Sequence, residues 1–482
     1  MVGHVAQPAP REPPSRGRAV TPLLLLLVLA QPPAAVTPPP ELLFGFAKKA
    51  ITPAIGAAPV YMAGFDTNRR ATGVHDELWA RAMAVSDGRQ KVVIVAVDLI
   101  GVFHADVVKA RALLQQKAPG AVLIVASTHD HEGPETMGLW GKGRFSSGVD
   151  PRYLDRVRRT IAETAAEALG RLKPGRLVLG KVRTPGLIED GRLPTVIDDT
   201  LVALQVVGKD GATLGTVVDW GSHPEALGGK NTLVTSDFPH YLRARMEERL
   251  GGTSVFLAGS IGGLMTPLGL KLTGADGRPV PADSFALAQA VGERAADAAL
   301  AALREGQPSA SSALEHRSAI VFVPLQNRLF RLAMFLGVLD RRVYSGGQPA
   351  TSLFGDDLRT EIGYLRLGDA EALLVPAEIY PELVLGRIQD PQDPAADFRG
   401  APRERALSTL LTSDYRLVVG LANDEIGYVI PRSEWDAKAP FAYGRKEDQY
   451  GEVNSVGPGA AARLAEAFER LLARGTPAPA TE

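Results

Sequence analysis

The residues best suited to chemistry lie in the segment 127–134, Ser-Thr-His-Asp-His-Glu-Gly-Pro. The chain has only eight histidines, so His129 and His131 form a pair that needs an explanation. Side chains at i and i+2 project to the same side wherever the backbone is extended. Neutral imidazole is the commonest zinc ligand, so this pair predicts a metal site. Because H-x-H is a short pattern, two solvated loop histidines are the alternative.

Two further candidate ligands stand in similar places. His223 follows a β-rich apolar run and lies in a turn marked by Gly221 and Pro224, and Glu378 follows the apolar run that ends at Val375. Two neutral imidazoles and one carboxylate, with a position left for water, are a common catalytic zinc arrangement. A structural role for a lone histidine in such a turn is the alternative.

The elements that must position these residues predict an α/β fold. Apolar runs at 91–98 and 121–126 are typical of buried strands, and 105–116 between them has helical spacing. This strand-helix-strand unit favours a parallel pair. Further strands are predicted at 202–207, 213–220 and 361–375, and further helices at 237–250, 287–304 and 459–474. The sequence predicts a mixed strand-helix catalytic domain with the zinc site at strand C-terminal ends.

Composition narrows the classes of function. The 482 residues are 45% hydrophobic and 22% charged, as in globular proteins. A net charge of -1 gives no basic footprint for nucleic acid, so no nucleic-acid partner is expected. The absence of cysteine excludes disulfides, thiolate zinc ligands and cysteine nucleophiles.

The N-terminal segment predicts export. Three arginines among residues 11–18 precede the apolar run 23–30, and small residues follow through Ala35. We expect a signal peptide at 1–35, a Pro-rich spacer at 36–43 and a catalytic domain at 44–475. The apolar run is shorter than the ~20 residues that span a bilayer. The protein is therefore expected to be periplasmic or secreted; an uncleaved, membrane-associated anchor is the alternative.

These motifs resemble the neutral (non-lysosomal) ceramidases, a family of zinc-dependent amidases, from about Phe44 to Ser455. Segment 127–134 is similar to the family's T-H-T-H-S-G-P, 73–82 to G-I-H-x-x-L-x-A-R-A, 222–237 to T-H-P…S-x-D, 375–378 to V-P-G-E, 420–428 to G-L-x-N…Y, and 450–455 to Y-E-A-S. The resemblance implies hydrolysis of an amide bond in ceramide or a related N-acyl lipid, with zinc-bound water as nucleophile.

The resemblance also implies roles for individual residues. The implied zinc ligands are His129, His223, Glu378 and Tyr428, with Tyr450 as the alternative tyrosine. His131 is implied to contact substrate or the reacting water and to move protons.

Three other residues are candidates on their own sequence positions. Arg192 is a candidate for binding the oxyanion or anchoring substrate, although a surface arginine is the alternative. Asp98 and Asp237 are candidates for orienting ligand histidines, or else serve as strand-end and capping residues.

Three departures from the family pattern bear on substrate. Thr266 and Leu264 occupy the places of a serine considered catalytic and an aspartate, which puts a serine-type nucleophile in doubt and leaves Thr266 as a hydrogen-bond donor. Asp130 and Glu132 flank the histidine pair and are expected to raise the pKa of His131 if they point inward. The family's C-terminal immunoglobulin-like domain is expected to be missing.

Two questions about substrate stay open at this point. The alternatives to a ceramidase are a zinc esterase or amidase on another substrate, and a non-catalytic relative that binds lipid or carbohydrate. The apolar, arginine-flanked segment 327–342 is either an interfacial helix that contacts a membrane or a core helix with solvated ends.

Overall fold

The computed structural model describes residues 1–4, 6, 8–11, 41–56, 58–351 and 354–473, so most of the predicted signal peptide lies outside the described residues. The chain divides into two units, Met1–Pro39 and Pro40–Glu482. All helices and strands of the described residues belong to the second unit, whose first strand begins at Leu43. In the part of the chain that is described, no helix is both long enough and apolar enough to cross a membrane.

The second unit alternates strands with α-helices. The strands are β1 (Leu43–Ala50), β2 (Gly73–Val74), β3 (Trp79–Ser86), β4 (Lys91–Val97), β5 (Val122–Ser127), β6 (Lys173–Arg183), β7 (Glu189–Asp190), β8 (Thr200–Gly208), β9 (Thr213–Trp220), β10 (Leu233–Val234), β11 (Thr253–Ala258), β12 (Met265–Thr266), β13 (Gln307–Pro308), β14 (Leu314–Pro324), β15 (Val343–Ser345), β16 (Gln348–Ala350), β17 (Asp357–Leu367), β18 (Ala370–Leu374), β19 (Glu378–Ile379), β20 (Tyr415–Val419) and β21 (Tyr428–Val429). The α-helices are α1 (His104–Lys117), α2 (Pro151–Gly170), α3 (Phe238–Leu250), α4 (Phe285–Arg304), α5 (Arg328–Phe335), α6 (Pro381–Leu385) and α7 (Ala460–Ala473). Short 3-10 helices cover Leu407–Leu410, Arg432–Glu434, Ala442–Gly444 and Glu452–Asn454.

Two large sheets pack face to face through apolar side chains. The larger has the strand order β11-β9-β8-β6-β1-β3-β4-β5, with β13 paired to β6, and it is parallel only at its two ends. The smaller has the order β16-β15-β17-β18-β20, with β14 paired to β17. Phe46, Ile94 and Leu204 of the larger sheet share one buried cluster with Leu365 and Leu417 of the smaller. This cluster is the core between the sheets.

Helices cover the outer faces of both sheets. Helix α2 packs on β1, β3 and β4, and helix α1 packs on β5 and on α2; helices α3 and α4 pack on β6, β8, β9 and β11 in the other half of the larger sheet. Helix α7 packs on β14 and β17 of the smaller sheet. The predicted mixed α/β fold is confirmed, and the predicted strand-helix-strand unit is β4-α1-β5 with β4 and β5 parallel.

The segment 420–423 follows β20 of the smaller sheet and contacts β5, the edge strand of the larger sheet. Asn423 covers the open edge of β5: its side-chain oxygen accepts from Val125 N at 3.0 Å and its own N–H donates to Val125 O at 2.7 Å. Gly420 is required here because a Cβ would lie 2.6 Å from Gly259 O. These contacts cover the C-terminal end of β5 and bring the segment that follows the smaller sheet to the edge of the larger sheet.

A buried ion pair ties β4 to helix α3. Arg243 donates to both oxygens of Asp98 at 2.7 and 2.9 Å, and each side chain is only 1% exposed. We predict that Asp98→Ala lowers the free energy of unfolding by about 3–5 kcal/mol, because it leaves a buried guanidinium without its partner. Urea denaturation measures this change.

The matched control uses the same helix. Arg245 also donates to both oxygens of its partner, Asp297, at 2.7 and 2.8 Å, but that aspartate is 52% exposed. Asp297→Ala is expected to cost at most about 1 kcal/mol. Equal losses in the two variants would contradict the importance of burial.

Candidate metal centre

Three predicted ligands converge where the strands end. His129 follows β5, His223 follows β9, and Glu378 begins β19. Glu378 Oε2 lies 3.2 Å from His129 Nε2 and 3.0 Å from His223 Nε2. With His131, the three histidines offer ligand atoms that all lie within 4.8 Å of one another, so the cluster could hold a metal ion.

Hydrogen bonds fix which ring nitrogens face the centre. His129 Nδ1 lies 2.7 Å from Ile100 O, and His223 Nδ1 lies 2.9 Å from Met265 O. A carbonyl oxygen can only accept a hydrogen bond, so each Nδ1 must carry a proton. In the neutral ring each Nε2 then carries a lone pair. In the neutral rings both Nε2 lone pairs therefore point toward Glu378 Oε2, which lies 3.2 Å from His129 Nε2 and 3.0 Å from His223 Nε2.

The electrostatics of this group favour a cation. Although burial opposes charge on the imidazole, Glu378 and Glu225 raise the pKa of His223. Burial alone would raise the pKa of Glu378, but His129 and His223 outweigh burial and hold this pKa well below its usual range. Two imidazole nitrogens and a carboxylate oxygen are a donor set that zinc prefers, so these residues fit a zinc ion.

The backbone around His129 differs from the sequence expectation. His129 has a φ of 64°, in the left-handed region, so the H-x-H segment is not extended. The two rings nevertheless lie 4.9 Å apart, because the turn at His129 brings both into the same cavity. A non-glycine residue held in this conformation is often found at functional sites.

Of the two roles considered for Asp98 and Asp237, the structural one is observed for both. Asp98 is bound by Arg243, and Asp237 caps helix α3 through Phe238 N. The carbonyls of Ile100 and Met265 hold the ligand histidines instead. Main-chain carbonyls leave no residue-type signal in a sequence, so this pattern could not have been read from it.

Both tyrosine candidates, Tyr428 and Tyr450, line the cavity that holds the candidate site. The parallel pair β19-β21 places Tyr428 directly beside Glu378. Burial, then the charge of Glu378, raises the pKa of Tyr428 well above its usual value. Tyr450 packs edge-on against Tyr428, with ring centroids 5.8 Å apart, and also lines the cavity. Tyr428 as the ligand stays a prediction.

His131 contacts a carboxylate that sequence reasoning missed. Neither ring nitrogen of His131 has a hydrogen bond within the described part of the chain, but Glu225 Oε2 lies 3.4 Å from Nδ1. Thr266 Oγ1 donates to Glu225 Oε1 at 2.6 Å and accepts from Leu268 N at 3.0 Å. Glu225 therefore links His131 to Thr266. Its position two residues after the ligand His223 was the available signal.

Asp130 and Glu132 do not act on His131 as expected. Glu132 turns away to Arg69 and Asn231, at 3.1 and 2.8 Å, and burial raises the pKa of Glu132 to about 8. Burial, then Asp98 and Glu132, raises the pKa of Asp130 well above its usual range. The pKa of His131 is not raised but lowered, by burial and by the two neighbouring histidines.

Arg192 lies next to the main chain of Tyr450, outside the described residues that line the cavity. Its guanidinium donates to both oxygens of Glu452, at 2.8 and 2.6 Å, and to Tyr450 O at 3.0 Å. It is buried and does not belong to the described residues that line the cavity. In this arrangement Arg192 supports the main chain of Tyr450; a role in contacting substrate stays a prediction.

The candidate ligands His129, Glu378 and Tyr428 line a cavity of about 660 Å³. His129, His131, Glu225, Thr266, Glu378 and Tyr428 form its polar end. Its walls are mainly apolar: Phe65, Ile100, Phe103, Met137, Leu139, Trp140, Leu264, Leu268, Phe330, Met334, Leu339, Leu358 and Ile426. Such a pocket suits a mainly apolar ligand with one polar group at the reacting end.

Comparison with known proteins bears on the fold. No family model matches the chain. The chain is similar to neutral ceramidase from Pseudomonas aeruginosa, with a TM-score of 0.68 and 20% identity, over 92% of this chain and 76% of that one. It is also similar to a ceramidase complexed with C2, with a TM-score of 0.66 and 19% identity, over 90% of this chain and 75% of that one. The chain therefore has the fold of the neutral ceramidases, the family that its sequence motifs resemble.

Proposed function

We propose that this protein is a zinc-dependent hydrolase that cleaves the amide bond of an N-acyl lipid such as ceramide. The observation that carries the proposal is the convergence of His129 Nε2 and His223 Nε2 on Glu378 Oε2, at the polar end of an apolar cavity. The shared fold supports it, because the similar solved structures are ceramidases.

The residues of the candidate site have distinct proposed roles. His129, His223 and Glu378 hold the metal, with Tyr428 beside Glu378 as the fourth candidate ligand. When bound, zinc lowers the pKa of a water and polarises an acyl carbonyl. His131 is neutral at pH 7, because its pKa is lowered, so it can accept a proton from the reacting water and pass it to the leaving amine.

Glu225 and Thr266 would position the reacting groups. The Glu225 carboxylate, held on one oxygen by Thr266, faces His131 Nδ1 with the other. A carboxylate in this place orients the imidazole and stabilises it once protonated. Thr266 donates its hydroxyl proton to Glu225, so its role is to hold that carboxylate.

The apolar walls favour acyl chains over polar substrates. Side chains such as Phe103, Met137 and Leu339 are buried in the cavity wall and offer apolar contacts to an acyl chain. Long alkyl chains gain about 0.8 kcal/mol for each CH₂ group removed from water. This argues for a lipid over a small soluble amide.

A panel of N-acyl lipids and matched esters, each measured with and without chelator, tests the proposal. We expect about one zinc per chain, release of fatty acid from the amide lipids, loss of activity in chelator and recovery when zinc is returned. Faster cleavage of the esters would make the protein a zinc esterase. A zinc-loaded, folded protein that binds these lipids without cleaving any of them would make it a non-catalytic relative.

We also propose that the protein is exported, on the basis of the arginines and apolar run in residues 11–35. N-terminal sequencing of the mature protein tests this. A first residue near position 36 supports a cleaved signal peptide, and an intact N-terminus supports an anchor.

A further inference from the structure

Helix α5 carries an exposed apolar face. Four large apolar side chains are exposed here: Leu329 (58%), Leu332 (43%), Phe335 (55%) and Leu336 (49%). Leu336 directly follows the last residue of the helix. Large apolar side chains are usually exposed singly on a protein surface. Four of them within eight residues form an apolar patch, and such patches are typical of binding surfaces.

The opposite face of the same helix forms part of the cavity wall. Phe330 and Met334 line the cavity described above, and Met334 is buried. One short helix thus presents apolar side chains both to the candidate site and to the outside. The exposed patch therefore lies at the boundary of the cavity.

Hydrogen bonds fix two neighbouring loops beside α5. Asn327 caps the helix at Leu329 N and donates its side-chain amide to Val453 O at 2.9 Å. Arg331 donates to Gly355 O at 2.6 Å, next to Phe354. Val453 is 48% exposed and Phe354 is 75% exposed, so both loops add apolar side chains to the patch. We call these six residues the docking face: Leu329, Leu332, Phe335, Leu336, Phe354 and Val453.

We propose that the docking face binds the surface of a lipid bilayer and places the cavity against it. A bilayer matches the face in two ways: its acyl boundary can accept the apolar side chains, and its headgroups can meet Arg328, which begins α5, and Arg342, both of which are exposed. Asp340 is exposed beside Arg342, so apolar contact contributes more than charge. A lipid could then pass from the bilayer along Phe330 and Met334 without crossing water.

The last step rests on the proposed function, because only a lipid substrate needs such a path. Binding of the protein to vesicles does not rest on it. The two can therefore be tested apart.

The experiment compares two double variants of the full chain. Leu332→Asn/Phe335→Asn alters the docking face, and Val108→Asn/Ile320→Asn is the control, since these two side chains are 44% and 40% exposed on α1 and β14. Vesicles of phosphatidylcholine and phosphatidylglycerol, without any ceramide, are sedimented with each protein. We expect at least a tenfold loss of binding for the docking-face variant only, with circular dichroism unchanged.

A second measurement follows hydrolysis of ceramide held in vesicles and of a short-chain, water-soluble N-acyl substrate. The docking-face variant should lose activity on the first and keep activity on the second within about twofold. Unchanged vesicle binding would overturn the proposal, as would binding abolished by salt alone, or a patch that instead mediates dimers detected by sedimentation velocity. If no substrate is cleaved but vesicle binding still depends on the face, the proposed function fails and the docking surface stands.

Discussion

His223→Gln is expected to remove the bound zinc and to slow amide hydrolysis by at least about 10³-fold, which corresponds to about 4 kcal/mol of transition-state stabilisation. The reason lies in the geometry of the nitrogen that is lost. His223 Nδ1 is hydrogen-bonded to Met265 O, so under the proposed function Nε2, 3.0 Å from Glu378 Oε2, is the atom available to bind zinc. The glutamine amide is a poor zinc ligand. Metal analysis of the purified variant and initial rates measure both effects.

His240→Gln is the matched control. His240 is a partly exposed histidine on helix α3, with Nδ1 3.3 Å from Asp76, and it lies outside the described residues that line the cavity. This variant should keep both zinc and activity. A His223→Gln protein that still holds one zinc per chain would show that the metal lies elsewhere, for example on His131 and Glu225.

The sequence located the candidate ligands His129 and His223 because each follows a recognisable strand. The apolar runs before His129 and His223 are buried on both sides, and such runs are plain in a sequence. The order of the family-like motifs along the sequence then indicated Glu378 and Tyr428 as candidates. No hydrophobic periodicity connects these two residues. The structure adds their register in β19-β21.

The supporting contacts were not predictable, because they depend on tertiary packing. The Asp98–Arg243 pair joins residues 145 positions apart, and aspartate at a strand end has many other uses. The direction of the pKa shift at His131 could not be predicted for the same reason. Whether Asp130 and Glu132 point toward the imidazole is decided by partners such as Arg69 and Asn231, not by adjacency.

His131→Gln is expected to slow amide hydrolysis by about 10²–10⁴-fold while leaving the zinc in place. His131 faces the cavity with a pKa lowered by burial and by His129 and His223, so its imidazole is neutral at pH 7, and Glu225, 3.4 Å from Nδ1, would stabilise the ring once it has taken up a proton. Its Nδ1 faces Glu225 instead of a main-chain carbonyl, which leaves it free of the restraint that fixes the two ligand histidines. Rates at saturating substrate, with zinc content measured on the same samples, test this expectation.

Thr266→Val separates the two possible nucleophiles. The Thr266 hydroxyl donates to Glu225 and accepts from Leu268 N, so its loss should loosen Glu225 and slow the reaction by less than about tenfold, with zinc retained. If Thr266→Val were instead as inactive as His131→Gln, the hydroxyl would be the nucleophile and Glu225 its base. If His131→Gln lost its zinc, His131 would be a third histidine ligand, as the spacing of the three rings also permits. A retained metal with a slow His131→Gln and a nearly normal Thr266→Val is the one result that assigns the attack to water and the proton to His131.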